Sequence, residues 1–322
     1  MAIIFTLVNI SMIRSPLEGW IAVCPSKDIK QRKPTLVRIR DARYTAYRVG
    51  DQIKVFPDTC RHRGMSLSMG KVLSEGCIEC PYHGYKHNEV GHTTPYDNTL
   101  VPYDPSQTMN YKEQDGLLWL QPAHLSGQLL PFHVPFATDP GVGLCEFDTV
   151  INCHPQLILE NALDPAHASW VHANPLGFGT YRELPTNVSH TTTSVAYNYV
   201  PNRDALSSRM FDVLATHNIH HFVLPYTTYV TVDIRVGGEV KTLMTWVTLC
   251  PLPGNKTRMF VKICQNLGLP GWMLTAMGRA IVDQDRQVLE NLSENSKDHI
   301  LPGLHDELIL NYRKALGLLN FK

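Results

Sequence analysis

The sequence predicts an α+β fold in two parts: a small antiparallel β domain, then a larger domain whose antiparallel sheet is covered on one face by helices. Three observations carry this expectation. A chain of 322 residues exceeds the usual size of a single core and favours two domains. Up to about residue 122, short β-prone runs are punctuated by turn residues. Beyond residue 143, long runs rich in Val, Thr and Tyr stand apart from helix-like stretches, a texture of α+β rather than of alternating α/β structure.

In the first part the expected strands are Gly19 to Cys24, Thr35 to Arg40, Tyr44 to Val49, Gln52 to Phe56 and Leu117 to Gln121. Gly50-Asp51 and Asp115-Gly116 supply turns between them. The stretch Gly127 to Gly143 carries Pro131, Pro135 and Pro140 and reads as a linker. In the second part, Val188 to Val200, Tyr226 to Val236, Val240 to Cys250 and Arg258 to Gln265 read as strands of one sheet. Pro155 to His172, Gly271 to Asp298 and Asp306 to Leu318 read as helices. The expected division is an N-terminal extension over 1–18, a first domain over 19–125 and a second over 126–322. No internal repeat or low-complexity tract interrupts it.

Composition narrows the function. The 29 basic and 29 acidic side chains cancel and form no basic stripe, which argues against nucleic acid or an anionic membrane as partner. The apolar stretch Met1 to Met12 is broken by Thr6, Asn9 and Ser11 and is too short to span a bilayer. It lacks the basic start and small-residue cleavage site of a secretory signal, so a reducing cytoplasm is the expected compartment. Met12 is an alternative natural start.

In that compartment Cys24, Cys145, Cys153, Cys250 and Cys264, scattered among apolar neighbours, read as small buried hydrophobes. Cys60, Cys77 and Cys80 sit among histidines instead. Seventeen residues separate Cys60-Arg61-His62 from Cys80-Pro81-Tyr82-His83, so two loops each offer a Cys and a His. Two thiolates for one iron and two imidazoles for the other is the ligand set of a Rieske two-iron two-sulfur centre. Gly64 and Gly84 suit backbone amides lying close to sulfur. A structural zinc site recruiting Cys77 is the competing reading, disfavoured by the one-residue Cys-x-His spacing and the strand-rich surroundings.

With these residues in place, the sequence resembles the Rieske-type non-haem iron oxygenases, the family of the aromatic-ring-hydroxylating dioxygenase α subunits. The family motif C-P-H-R-G and C-P-Y-H-G-W stands here as Cys60-Arg61-His62-Arg63-Gly64 and Cys80-Pro81-Tyr82-His83-Gly84-Tyr85. Arg61 and Tyr85 depart from it at positions that are not ligands. The family's N-x2-D-x2-H-x4-H stretch is matched by Asn161, Asp164, His167 and His172. On an ideal helix, positions five apart point about 140° away from each other, so the two histidines share a metal only if the helix bends or bulges between them. Two histidines and a carboxylate suit ferrous iron with positions open for dioxygen and substrate. Asp283, Asp285 and Asp306 are candidates for the carboxylate, and the family's D-x4-E pattern, Asp285 to Glu290 here, selects Asp285.

The resemblance spans Trp20 to about Leu318 and implies an N-terminal Rieske domain and a C-terminal helix-grip domain. It further implies a homotrimer in which Asp164 bridges a cluster histidine of one subunit, His62 or His83, to His167 of the next. Dioxygen is the co-substrate. No G-x-G-x-x-G fingerprint follows a strand, so electrons must come from a separate reductase, with or without a ferredoxin. At this length the chain is nearer to the monooxygenases and demethylases, which hydroxylate or oxidatively dealkylate small to medium organic substrates. Ring cis-dihydroxylation is the runner-up, and a non-catalytic Rieske electron carrier is disfavoured by the second ligand set. Residues Asn174 to Tyr181 and Asn202 to His221 fall where a pocket or lid would form, with Phe178, Tyr181, Phe211 and Phe222 as apolar candidates or as ordinary core. His220 and His221 lie on alternate faces if their segment is a strand, one buried and one exposed.

Overall fold

A computed structural model describes residues 19–88, 92–95, 109–122, 133–134, 142–172, 185–199, 216–236, 238–298, 301–303 and 305–318. Among the described residues, the N-terminal part forms three small antiparallel sheets. Strands β1 (Ile21–Pro25), β9 (Met109–Gln114) and β10 (Leu117–Pro122) form the first, in the order β1-β10-β9. A meander of β2 (Thr35–Ile39), β3 (Ala42–Val49) and β4 (Gln52–Pro57) forms the second. The third consists of two-residue strands: β5 (Lys71–Val72), β6 (Ile78–Glu79), β7 (Lys86–His87) and β8 (Thr93–Thr94). Asp115 and Gly116 both adopt positive φ, 51° and 70°, between the paired Gln114 and Leu117. That is the two-residue turn whose twist matches a hairpin.

Among the described residues, the C-terminal part holds seven antiparallel strands in the order β11-β17-β16-β15-β14-β13-β12. These are β11 (Gly143–Ile151), β12 (Thr186–His190), β13 (Ser194–Tyr199), β14 (Thr216–Val223), β15 (Thr227–Val236), β16 (Glu239–Leu252) and β17 (Lys256–Gln265). Among the described residues the helices are α1 (Pro155–Leu163), α2 (Ala168–Val171), α3 (Gly271–Leu289) and α4 (Glu307–Ala315).

The sheet separates two cores. On one face Val195, Tyr197, Phe222, Val247, Val261 and Ile263 pack against the helices. On the other, Tyr229, Met244, Trp246 and Phe260 merge with Ile21, Val37, Leu118 and Trp119 of the N-terminal part. Trp119 meets Trp246 edge-on at 6.1 Å between ring centroids. The Arg40 N–H donates to the Pro251 carbonyl at 2.7 Å across the same junction. The α+β class and its one helix-covered face are as expected. The five scattered cysteines are buried, and burial pushes the thiols of Cys24 and Cys250 up to about 12.

Several element boundaries differ from expectation, each for a local reason. The segment read as one helix from Pro155 to His172 is two helices, because Pro165 has no N–H to give and holds Asp164 in an extended conformation, φ −81° and ψ 111°. The α3 helix ends at Leu289, and residues Glu294–Lys297 form a separate short 3-10 turn. The run Val188 to Val200 is a hairpin, because the Thr191 hydroxyl accepts the Ser194 N–H at 3.0 Å and closes a turn inside a β-prone stretch. Strand β14 begins at Thr216, inside the segment assigned to a pocket or lid. Residues 202–215 of that segment lie outside the described residues, as do Phe178, Tyr181 and Phe211.

Candidate metal centres

The two Cys–His loops are conformational copies. In the first, the Cys60 N–H donates to the Met65 carbonyl and the Gly64 N–H to the Cys60 carbonyl, both at 2.8 Å. In the second, Cys80 donates to Tyr85 at 2.8 Å and Gly84 to Cys80 at 3.0 Å. Each loop closes through a glycine at positive φ, 72° at Gly64 and 69° at Gly84, which explains the glycines on conformational grounds. Beneath the first loop, the buried Asp58 carboxylate accepts from Arg43, from the Ser66 hydroxyl and from the Ser68 N–H. A carboxylate with three donors fixes the loop's base.

The loops present their four donors in two layers. Cys60 and Cys80 are buried in a small core with Tyr47, Phe56, Leu67, Val72 and Ile78. Burial, together with the neighbouring Cys80 thiol, pushes the Cys60 thiol up, so filling the site would release protons. His62 and His83 are exposed, and their Nδ1 atoms lie 3.1 Å apart, a separation two nitrogens reach when they share one metal ion. Tyr85 stacks on His62 with centroids 4.6 Å apart and planes within 8°. Two sulfurs inside and two imidazole nitrogens outside fit the asymmetric donor set of a Rieske cluster.

The second group assembles where α1, α2 and α3 meet. His167 and His172 flank α2 as its N-cap and C-cap residues, with ring centroids 5.2 Å apart and planes at 78°. The expected distortion of the helix is present, but at Asp164-Pro165, before both histidines rather than between them. From α3 the Asp285 carboxylate enters, with Oδ1 3.3 Å from His172 Nε2 and 3.8 Å from His167 Nε2. The three ligand atoms lie within 4.8 Å of one another. The rival carboxylates are engaged elsewhere: Asp283 pairs with Arg286 at 2.8 Å, and Asp306 accepts the Gly303 N–H at 2.6 Å.

The far side of each ligand is held. His167 Nδ1 donates to the Asp164 carbonyl at 2.5 Å, and His172 Nδ1 donates to Gln284 Oε1 at 2.8 Å. Each ring therefore carries a proton on Nδ1 and turns Nε2 towards Asp285. Asn161 Nδ2 donates to Asp285 Oδ1 at 3.0 Å. Burial lifts the Asp285 pKa, but contact with His172, the charges of His172 and His167, and the Asn161 amide outweigh it and hold the carboxyl below its ordinary value. Burial lowers His172, and the Asp285 contact reverses the sign. Two imidazoles and an ionised carboxylate, all nearly buried, fit a divalent metal, whose binding would displace any proton on Nε2.

One expectation is altered by this geometry. The bond to His167 comes from the main-chain oxygen of Asp164, whereas its side-chain Oδ1 accepts the Ala166 N–H at 2.7 Å and restarts the chain into α2. Sequence reasoning missed Gln284, whose role arises only because α3 packs against α2, although its place beside Asp285 is a usable signal. Phe222 is ordinary core, edge-on to Tyr312 at 5.4 Å. His220 is buried as one of the alternating pair, but His221 is half-buried rather than exposed, because its ring stacks on Tyr229 at 4.5 Å.

A strand-built part with two Cys–His loops, joined to a helix-covered sheet bearing two histidines and an aspartate, defines the Rieske oxygenase class. Residues 19–101 match the Rieske [2Fe-2S] domain, and residues 151–319, more than half the chain, match the vanillate O-demethylase oxygenase C-terminal domain. The chain belongs to this family of Rieske non-haem iron oxygenases and is an oxygenase component. Methylxanthine N3-demethylase NdmB of Pseudomonas putida is 22% identical over 84% of this chain and 80% of its own length. A vanillate O-demethylase oxygenase subunit of a Pseudomonas species is 28% identical, with 58% of this chain aligned to 54% of that one. The solved structure of NdmA of Pseudomonas putida CBB5 with caffeine has the same fold, with a TM-score of 0.75 and 18% identity over 92% of this chain and 89% of that one. Among the described residues no helix is long and apolar enough to cross a membrane.

Proposed function

We propose that the chain is a terminal monooxygenase that hydroxylates, or oxidatively dealkylates, a small to medium organic substrate. The observation that carries the reading is the convergence of His167 Nε2, His172 Nε2 and Asp285 Oδ1, each ligand oriented from behind. In it, Cys60, His62, Cys80 and His83 hold a [2Fe-2S] cluster, and His167, His172 and Asp285 hold ferrous iron. Together these groups would supply electron delivery and oxygen activation. The protein's own residues orient, shield and shape. Asn161 and Gln284 fix the direction in which the carboxylate and His172 face. On the helix-facing side of the sheet, Val230 opposes His220 and Thr245, and Val232 opposes Asn218 and Leu243. Val230, Val232, Leu243 and Thr245 are only half-buried there, a largely apolar floor that suits a hydrophobic substrate with few polar groups. Electrons come from a separate reductase, with or without a ferredoxin. The working form is a cytoplasmic homotrimer, with the Rieske domain over 19–125 and the catalytic domain over 126–322.

The test is a screen of O- and N-methylated aromatic compounds with a reconstituted electron donor, measuring formaldehyde and incorporation of labelled oxygen into the product. Oxygen-dependent formaldehyde release, or a monohydroxylated product, supports the reading. A cis-diol as the sole product would replace monooxygenation with ring dihydroxylation. Metal analysis after anaerobic purification should find about three irons and about two acid-labile sulfides per chain. Stoichiometric zinc without sulfide would overturn both metal assignments.

A further inference from the structure

The last carbonyls of a helix lack partners within it, and a left-handed glycine commonly finishes such an end. At the end of α1 the next residues are Asp164, in an extended conformation, and Pro165. The Ala162 carbonyl is met instead from the sheet, by His220 Nδ1 on β14 at 2.7 Å. A carbonyl oxygen only accepts, so the proton is on Nδ1. The neutral ring then offers Nε2 as an acceptor, and the Tyr197 hydroxyl on the adjacent β13 donates to it at 2.5 Å. Both side chains are buried, His220 at 5% and Tyr197 at 2% exposure. Burial pushes His220 down to about 3, which keeps the ring neutral.

Ala162 follows Asn161, which donates to Asp285, and lies two residues before Asp164, whose main-chain oxygen holds His167. We propose that the Tyr197–His220 pair is a positioning device for the mononuclear metal site, holding the end of α1 where Asn161 and His167 meet Asp285. The proposal rests on the reading of His167, His172 and Asp285 as metal ligands. A pair serving packing alone would contribute to stability and leave metal affinity unchanged. A positioning pair sets the affinity, because ligands from α2 and α3 must coincide and the end of α1 fixes where α2 begins.

The experiment removes the mononuclear metal with a chelator while the cluster stays intact. Equilibrium dialysis against Co(II) follows, with cobalt counted by elemental analysis so that cluster iron does not interfere. His220→Leu should weaken Co(II) binding by about tenfold or more, the scale on which outer partners of metal ligands act. His220→Asn, which returns an N–H at the Nδ1 position, should recover most of the affinity. Tyr197→Phe keeps the ring but leaves the buried Nε2 without its donor, and should weaken Co(II) binding by less than His220→Leu because the Ala162 contact remains. Co(II) binding by Tyr197→Phe and His220→Leu that matches the unmodified protein, even with lower melting temperatures, would overturn the positioning role alone. Failure of the unmodified protein to bind Co(II), or binding that survives Asp285→Ala, would overturn the metal-site reading and the proposal with it.

Discussion

At the residue scale, the proposed ligands lie close together in sequence and the contacts that support them do not. Cys60 with His62, Cys80 with His83, and His167 with His172 are each local, because a loop or one helical turn sets their spacing. The contacts that aim them are long-range: Asn161 reaches Asp285 across 124 positions and His172 reaches Gln284 across 112. Asn161→Ala leaves Asp285 with one donor fewer beside the two imidazoles. Its expected outcome is a loss of about tenfold to a hundredfold in affinity for the mononuclear metal, with an unchanged visible spectrum from the cluster. Titration with Co(II) measures it, and an unchanged affinity would remove Asn161 from the site. Asp285→Ala should go further and abolish both mononuclear metal and turnover, again with the cluster colour retained; full activity in that variant would show the third ligand to be misassigned.

At the scale of elements, boundaries are set by interactions that periodicity does not display. The break between α1 and α2 follows from Pro165, a local signal, yet a helical pattern on both sides masks it. Strands β9 and β11 escape sequence reading because each is a sheet edge, with polar or mixed faces and only a weak alternation of burial. Helix α4 is attached to α1 by a buried pair: Arg313 donates to Glu160 through Nε at 2.7 Å and Nη2 at 2.6 Å, and Gln156 also reaches Glu160 at 2.8 Å. Taking away one partner strands a buried charge, whereas removing both does not. Arg313→Met should therefore cost about 3–5 kcal/mol of unfolding free energy, and a Glu160→Leu, Arg313→Met double variant should recover much of it. Chemical denaturation of the three proteins decides the point: a double variant no more stable than Arg313→Met would show that the pair acts through packing alone.

Across the whole molecule, the seven-stranded sheet carries the helices of the His167, His172 and Asp285 group on one face and packs against the N-terminal part on the other, while Cys60 and Cys80 sit in a small core of their own. Buried imidazoles make this assembly acid-sensitive. Burial pushes His87, His154 and His221 down to about 4, with the charges of Arg61 beside His87 and of Lys297 and Arg40 beside His154 adding to it. Between their ordinary value near 6.5 and about 4, the unfolded chain binds protons that the folded chain refuses, so stability falls as pH falls through that window. A melting temperature that stays flat from pH 7 to about 4.5 would contradict the burial of these rings. Among the described residues no hydrogen bond joins Asp164 to His62 or His83 within one chain. Tyr82 in the second Cys–His loop and Met69 just after the first are exposed, and on α2 Trp170 is exposed between His167 and His172. We propose that these two apolar surfaces meet across two copies of the chain and that Asp164 forms the bridge there. Asp164→Asn keeps a side-chain oxygen for the Ala166 N–H and the main-chain oxygen for His167, so both metal sites should fill while only the charge is lost. Turnover should collapse. Co-expression with Cys60→Ala chains, followed by isolation of each mixed composition through affinity tags, should then restore part of the activity. In such a hybrid an intact Asp164 on one subunit faces an intact cluster on its neighbour, the pairing that neither parent contains. Full turnover by Asp164→Asn alone would remove the bridge, and well-assembled hybrids that stay inactive would place electron transfer within a single chain.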